Sequence, residues 1–480
     1  MTDTTPDNDV PKSSSQKKVP MPASVGAVAA AGKDLDDDKV VPRKQVVSWA
    51  LWDWATQPFN SVILTFVFAS LYLISDSFLP ADIAALPADD PLKESALATL
   101  SAGYGWATFA AGILILLLAP VLGQRADASG SKKKLLLAFT ALLALVQFAL
   151  FFVYADPGYF WFGAILLALG AVVSEIAGVN YNAMLVQVST RKTIGRVSGL
   201  GWGLGYIGGI VALIIVVILD TFSWFGMDTS NGLAYRLIAV GAAVWTVIFT
   251  LPLLFNVPEA PPTQAGAAKV GFFRSYVVLV KDVIGLYKAP ETRPTFWFLV
   301  ASAIYRDGLA GVFAFGGILA AVAFGFTSTE VIMFGIAANV VAGISTIVGG
   351  RVDDFVGPKK VILFALFGLV VMAIVVFAFH ESGTTVFWIG GLILSAFVGP
   401  AQAASRSLLA RVTPDGRQGE VFGLYATTGR VASFLSPLLW ALFITWFGST
   451  IFGVLGIAVI LLFGAILLVF VRLPKHVRVK

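Results

Sequence analysis

The sequence predicts an all-α membrane protein with twelve transmembrane helices in two pseudo-symmetric six-helix bundles. Three observations lead there. The 480 residues are 58% hydrophobic and only 13% charged, with a mean hydropathy of +0.85, whereas a soluble domain carries about 25% charged residues. The apolar residues fall in blocks long enough for the roughly 20 residues a helix needs to cross the hydrocarbon core. Two loop sequences recur between the halves of the chain. This composition excludes a soluble enzyme, a nucleic-acid reader and a disordered scaffold. The net charge of +5 needs no nucleic acid, because anionic lipid headgroups are counter-charge enough. With no cysteine and two histidines, His380 and His476, placed at a predicted loop and in the C-terminal tail, neither a metal nor a cofactor is expected.

Residues 1–45 are polar, lack an apolar run and read as a disordered tail with no signal peptide. Residues 46–256 form the N-terminal bundle, with spans at roughly 46–75, 98–122, 135–154, 159–187, 197–219 and 235–256. The first is long and carries Pro58, its expected kink. Residues 257–293 form a connector whose apolar and basic positions fit opposite sides of an amphipathic helix. Residues 294–471 form the C-terminal bundle, with spans at roughly 294–323, 328–349, 361–380, 384–409, 420–446 and 449–471, and 472–480 is a second tail. The runs lack the two-residue alternation of barrel strands. Of the 33 Lys and Arg, only Lys93 and Arg236 fall on the face opposite the N-terminus and only Arg306 and Arg430 fall inside spans. Positive charge gathers on the cytoplasmic side, so both termini are expected in the cytoplasm and the protein in the cell membrane.

The repeat is explicit. GQRADASGSKK, from Gly123 to Lys133, precedes the third span, and GRVDDFVGPKK, from Gly350 to Lys360, precedes the ninth. Gly, Asp, Gly, Lys and Lys recur at one spacing. Gly195-Arg-Val-Ser-Gly-Leu200 likewise matches Gly419-Glu-Val-Phe-Gly-Leu424. Internal repeats of this kind mark transporters, with substrate sites near the midplane where the halves meet. The first loop resembles the signature of the major facilitator superfamily at this position. The resemblance implies two bundles rocking about a central cavity, with gate residues Gly123, Asp127, Gly130 and Lys132 in one half and Gly350, Asp354 and Gly357 in the other. A closer resemblance is to the vacuolar-effluxer-like branch, carried by Trp49-Ala-Leu-Trp-Asp-Trp-Ala55, by the Gly-rich run from Gly195 to Gly209 and, less closely, by Tyr305-Arg-Asp-Gly308. In the first motif Trp52 stands for the usual Tyr, and Thr56-Gln57 for the usual Asn-Ser. The branch implies amino-acid export.

Ionisable groups inside a membrane cost about 2.5–3.5 kcal/mol each by insertion scales and face a cavity or a partner. Here the polar residues are Asp53 and Trp54 in span one, Glu175, Asn180 and Asn182 in span four, Arg306 and Asp307 in span seven, and Gln402 and Arg406 in span ten. The superfamily resemblance implies that these four spans line the cavity. Glu175, Arg306 and Asp307 sit roughly 20 Å deep and Asp53 about 10 Å deep at 1.5 Å per residue. Glu175 and Asp307 are candidates for substrate binding or proton coupling, with a Glu175–Arg306 ion pair as the structural alternative. Arg306 suits a substrate carboxylate or phosphate. Asp53 also fits a local hydrogen bond. Arg406 reads as a cytoplasmic gate or a lipid-facing snorkel residue, and Arg430 as a partner of Asp354. Gly203-Leu-Gly-Tyr-Ile-Gly208 spells a dinucleotide fingerprint but lies inside a span with no preceding strand. With Gly199 and Gly201, these glycines read as a close helix contact. Trp49, Trp52 and Trp54 read as an interfacial anchor, with ligand stacking as the alternative.

The expected function is secondary active transport of a small solute, an amino acid or similar metabolite, by alternating access, with protons as a coupling partner and a monomer as the working unit. Efflux of amphipathic compounds or lipids is the alternative transport reading. A transport-inactive receptor or assembly factor is the alternative of another class. No enzymatic activity is expected.

Overall fold

A computed structural model describes residues 40–472 except 89, 130, 186, 190–193, 227–229, 260–276, 278–280, 282–283, 289, 291, 413–424, 426–427 and 430. The protein is all-helical. Its long helices are α1 (Arg43–Gln57, continued to Leu73), α2 (Pro91–Ser129), α3 (Lys132–Ala149), α4 (Phe160–Ala183), α5 (Ile194–Thr221) and α6 (Leu233–Asn256), then α7 (Arg293–Ile318, continued to Ala323), α8 (Ser328–Val356), α9 (Pro358–Ala378), α10 (Thr384–Val412), α11 (Leu435–Phe447) and α12 (Phe452–Phe470). Eleven of the described helices are long and apolar enough to cross a membrane. α11, at thirteen residues, is shorter than the predicted span 420–446. A turn at 432–434 interrupts that span. Just beyond it, the Ser436 N–H is given to the Asp307 carboxylate of α7 at 2.6 Å. A carboxylate at a helix N-terminus satisfies a donor that the helix itself leaves free.

Packing repeats at an interval of six helices. α1 packs on α5 and α6, α4 on α2 and α3, and α3 on α6; equally, α7 packs on α11 and α12, α10 on α8 and α9, and α9 on α12. Across the halves α2 meets α11 and α5 meets α8. The start of α1 lies beside the end of α6, where Asn256 donates to Ser48 at 2.9 Å. We call this the terminal end and its opposite the distal end.

Pro58 alters α1 as expected, though not as a simple kink. Proline has no N–H for the carbonyl four residues back, and the Trp54 carbonyl instead accepts the Trp245 indole N–H of α6 at 3.1 Å. The Ala55 carbonyl accepts the Thr246 hydroxyl at 3.0 Å. From Pro58 the helix is π-wound through Phe66 and again from Phe68 to Leu73. α7 ends the same way, over Leu319–Ala323. Wide turns of this type recur at functional sites.

Hydrogen bonds between the halves tie the distal end. Thr450 and Trp440 donate to Ser101, at 3.2 and 3.3 Å. Ser449 donates to Glu94, and Thr329 to Asp220 at 3.3 Å. A Cβ on Gly317 of α7 would stand 2.3 Å from the Thr65 carbonyl of α1, so a hydrogen at this position is what lets the two helices close.

The tryptophan pair near the start of α1 is not an interfacial anchor. Trp49 and Trp52 are 2% and 4% exposed. Trp49 stacks on Tyr181 of α4 at 4.3 Å and donates to its carbonyl at 3.1 Å, and Trp52 donates to Thr140 of α3 at 2.9 Å. α1 is packed on three sides by α4, α5 and α6, so aromatic residues at its start meet protein rather than headgroups. The N-terminal tail and most of the connector lie outside the described residues; of the connector, Ile284–Lys288 is helical, with Leu286 buried.

Candidate substrate site between the halves

α1 brings Asp53 to the face that packs on α5. Its half-buried carboxyl is hydrogen-bonded to Gln57 one turn on, and no basic group pairs with it among the described residues. The approach is close because position 205 is glycine: a Cβ there would lie 3.0 Å from the Asp53 carboxyl and from the Gln57 amide. Gly201, Gly208 and Gly209 receive Trp49, Trp54 and Ser61 in the same way, so the glycine run is a helix-contact stripe as the sequence reads. Tyr181 and Tyr206 lie within electrostatic reach of Asp53.

α7 builds its counterpart. Each residue of Tyr305-Arg-Asp-Gly308 is turned about 100° from the last, and three of the four face the interior of the C-terminal half. Tyr305 is fully buried and shares a 2.7 Å hydrogen bond with Ser405 of α10. Asp307 takes the Ser436 N–H, while its own carbonyl accepts the Ser436 hydroxyl at 2.9 Å. Gly308 lies against Leu461 and Ile460 of α12. Only Arg306 is left half-buried. Its guanidinium sits 3.9 Å above the Tyr425 ring and donates to the Tyr425 carbonyl at 2.9 Å. A Cβ on Gly429 would be 2.8 Å from it. The Glu175–Arg306 ion pair, the structural alternative, is not formed; the guanidinium lies on the Tyr425 face instead. No carboxylate pairs with Arg306 among the described residues.

Gly205 and Gly429 occupy matching places in the repeat that begins Gly195-Arg-Val-Ser-Gly and Gly419-Glu-Val-Phe-Gly. Asp53 and Arg306 thus bring opposite charges to matching glycines of the two halves. Arg406, exposed on α10, lies within electrostatic reach of both Tyr206 and Tyr425. Asp53, Tyr206, Arg406, Tyr425 and Arg306 thus form a polar string running from one half to the other.

The remaining candidates divide. Glu175 and Gln402 are half-buried on α4 and α10. Asn180 is buried and turned back on its own helix, donating to the Ile176 carbonyl at 2.9 Å, whereas Asn182 is exposed. Trp54 faces α6, stacked on Trp245 at 5.3 Å. Among the gate candidates, Lys132 is buried at the start of α3, and Gly357 adopts φ +88° between α8 and α9, a conformation open to glycine. Gly130, Arg430 and the surroundings of Gly123, Asp127, Gly350 and Asp354 lie outside the described residues, as does the expected Asp354–Arg430 pair. Sequence reasoning missed Tyr206 and Tyr425. The available signal was an aromatic residue with a polar tip inside a glycine-rich span.

A match over residues 101–479 to the family described as vacuole effluxer Atg22 like decides the relationship. The chain belongs to this Atg22-like family. It is 30% identical, over 89% of its length and 95% of the relative's, to an uncharacterized major-facilitator-type transporter, YxiO, of Bacillus subtilis (strain 168). It is 23% identical to autophagy-related protein 22 of Cryptococcus neoformans var. neoformans serotype D (strain B-3501A), over 58% of this chain and 54% of that one, and so spans about half the length of that fungal relative. Its fold resembles that of a D-xylose-proton symporter, with a TM-score of 0.63 at 12% identity over 90% of this chain and 98% of that one. It also resembles the nucleoside transporter NupG (D323A mutant), with a TM-score of 0.60 at 14% identity over 89% of this chain and 99% of that one. This Atg22-like protein is an integral membrane transporter of the major facilitator superfamily.

Proposed function

We propose that the protein moves a small zwitterionic metabolite of the amino-acid class across the membrane by alternating access, with Asp53 taking its ammonium group and Arg306 its carboxylate. The observation that carries this reading is a pair of opposite charges set beside matching glycines of the two halves, neither with an ionic partner among the described residues. Leaving two such charges unpaired at membrane depth is costly, and a ligand bearing both complements relieves that cost. A ligand held by one group from each half couples its own binding to the rocking of the halves.

In this reading the twelve helices form two six-helix bundles, with all of them crossing the bilayer and the terminal end in the cytoplasm. The arrangement described is then inward-facing, because the distal end is the one tied shut. Export is the direction we assign, following the family description. Glu175, half-buried at the depth of the site, is the group we assign to proton coupling, whereas Asp307 is a clamp between α7 and α11.

Counterflow in proteoliposomes loaded with a mixed amino-acid pool tests the assignment. The expected result is uptake of at least one labelled zwitterion, lost in both Asp53→Asn and Arg306→Gln. Wild-type counterflow in either variant, or uptake confined to uncharged solutes, overturns it. Proton coupling is read separately: Glu175→Gln should retain counterflow while losing uptake driven by a pH gradient.

A further inference from the structure

A cavity of about 590 Å³ opens at the distal end, away from the Asp53–Arg306 string. Its walls come from both halves: Val67 and Leu71 from the π-wound part of α1, Asp220 at the end of α5, Trp224 from the α5–α6 turn, Tyr235 of α6, and Ser328 with Ile332 from the start of α8. Val67, Leu71, Val216, Ile238 and Ile332 make the apolar part of the lining, and Asp220, Ser223, Tyr235 and Ser328 the polar part. Asp220 is the one charged residue in the lining among the described residues. Its Oδ2 accepts the Thr329 hydroxyl at 3.3 Å, which leaves Oδ1 for a ligand.

The aromatic groups are held in place. One face of Tyr235 is covered by Tyr72, stacked at 5.0 Å, and its hydroxyl is hydrogen-bonded to Ser328. Trp224 is set by an unusual turn. Ser223, Trp224 and Phe225 all have left-handed backbone, with φ between 45° and 55°. That conformation costs an L-residue roughly 1–2 kcal/mol. Three in a row need a reason, and residues held this way cluster at ligand clamps. Here the turn brings an indole to a cavity that a carboxylate also lines. Arg236, next in sequence to Tyr235, does not neutralise Asp220. It is committed to the Phe151 carbonyl at 2.5 Å and to the Tyr154 ring at 3.9 Å.

A carboxylate, an aromatic face and apolar lining, with no competing cation among the described residues, are the elements that recognise an organic ammonium ion. We propose that this distal cavity binds a small organic ammonium ion, with Asp220 as the counter-charge and Trp224 as the aromatic face. Because α8 supplies part of the wall and the distal hydrogen bonds hold it there, the ion binds the distally closed arrangement and favours it. The site is separate from the central pair and does not depend on the substrate assigned above.

Thermal unfolding of the purified full-length protein with tetramethylammonium chloride tests the proposal, because a ligand of the folded state raises apparent stability. Sodium chloride at matched ionic strength and tert-butanol, of similar bulk and no charge, are the controls. The expected result is a saturable rise in melting temperature with tetramethylammonium alone. It should be lost in Asp220→Asn and weakened about tenfold in apparent affinity in Trp224→Leu, and it should persist in Asp53→Asn and Arg306→Gln. If Asp220→Asn does not fold, Trp224→Leu decides alone. An unchanged response in whichever variant folds, a response equalled by either control, or loss of the response in the central-site variants overturns the proposal.

Discussion

The two halves use one scaffold for opposite charges. In each, an ionisable side chain from the first helix of the half reaches a glycine at the matching place of the repeat, Gly205 in one and Gly429 in the other. In the N-terminal half it is Asp53, hydrogen-bonded to Gln57. In the C-terminal half it is Arg306, laid over Tyr425. The glycine is the same because in each half it leaves room for a polar side chain of the first helix. The charged residues differ because they answer to the space between the halves rather than to either half. Positions that match in packing and differ in chemistry are where a duplicated fold acquires a directional site.

The largest effects should come from breaking that opposition. Truncating one partner of a desolvated charge contact costs about 2–5 kcal/mol, or roughly 30- to 5,000-fold in apparent affinity. Asp53→Asn and Arg306→Gln should each weaken counterflow by that order while leaving the melting temperature close to wild type. A variant that lost stability instead would be a structural residue.

Asp307 is the contrast that sharpens this point. It is a second carboxylate at membrane depth, one residue from Arg306, yet it is bound by the Ser436 N–H and buried. A hydrogen bond to a charged group contributes about 1.5–3 kcal/mol. Asp307→Asn should therefore lower the melting temperature and the yield, and the protein that folds should keep its substrate affinity. A smaller effect is expected at Tyr425, where a cation–π contact contributes about 0.5–2 kcal/mol. Tyr425→Leu should raise the KM for the zwitterion roughly two- to thirty-fold, and the carbonyl bond to Arg306 would survive the change.

Much of this was legible in the sequence for physical reasons. Long apolar runs mark helices because a backbone in lipid has to satisfy itself, and the paired loops exposed the duplication. Asp53 and Arg306 could be found as charges in apolar segments. That both reach matching glycines could not be read off, because the α1–α2 connection is longer than the α7–α8 one and shifts the register between halves. The inward turn of Asp307 was hidden too, since adjacent residues on a helix point about 100° apart and sequence alone does not say which one meets the cavity. Trp49 and Trp52 misled for a related reason: position near a span end suggests an interface, but α1 is surrounded by protein at that end.

The smallest predicted effects test whether the halves also diverge at their helix ends. The Glu259 carboxylate, just after α6, accepts the Lys133 N–H in the first turn of α3 at 2.9 Å. In the second half the same junction between helices is made the other way: the Lys359 ammonium, at the start of α9, donates to the Val469 and Val471 carbonyls at the end of α12, at 2.9 and 2.8 Å. One half places an anion at a helix N-terminus and the other a cation at a helix C-terminus, and each arrangement is favoured by the helix dipole. Glu259→Gln and Lys359→Met should each cost about 0.3–1 kcal/mol, with additive loss in the double variant because the sites are far apart. Both residues adjoin the repeated Gly-Asp-Gly-Lys-Lys loops assigned to gating. If the contacts only fasten helix ends, thermal unfolding will shift slightly and transport will not. If they are latches that open during the cycle, the turnover rate will change by more than the stability does, and the asymmetry between Glu259 and Lys359 will appear as a difference in which face of the membrane the variant rests open to.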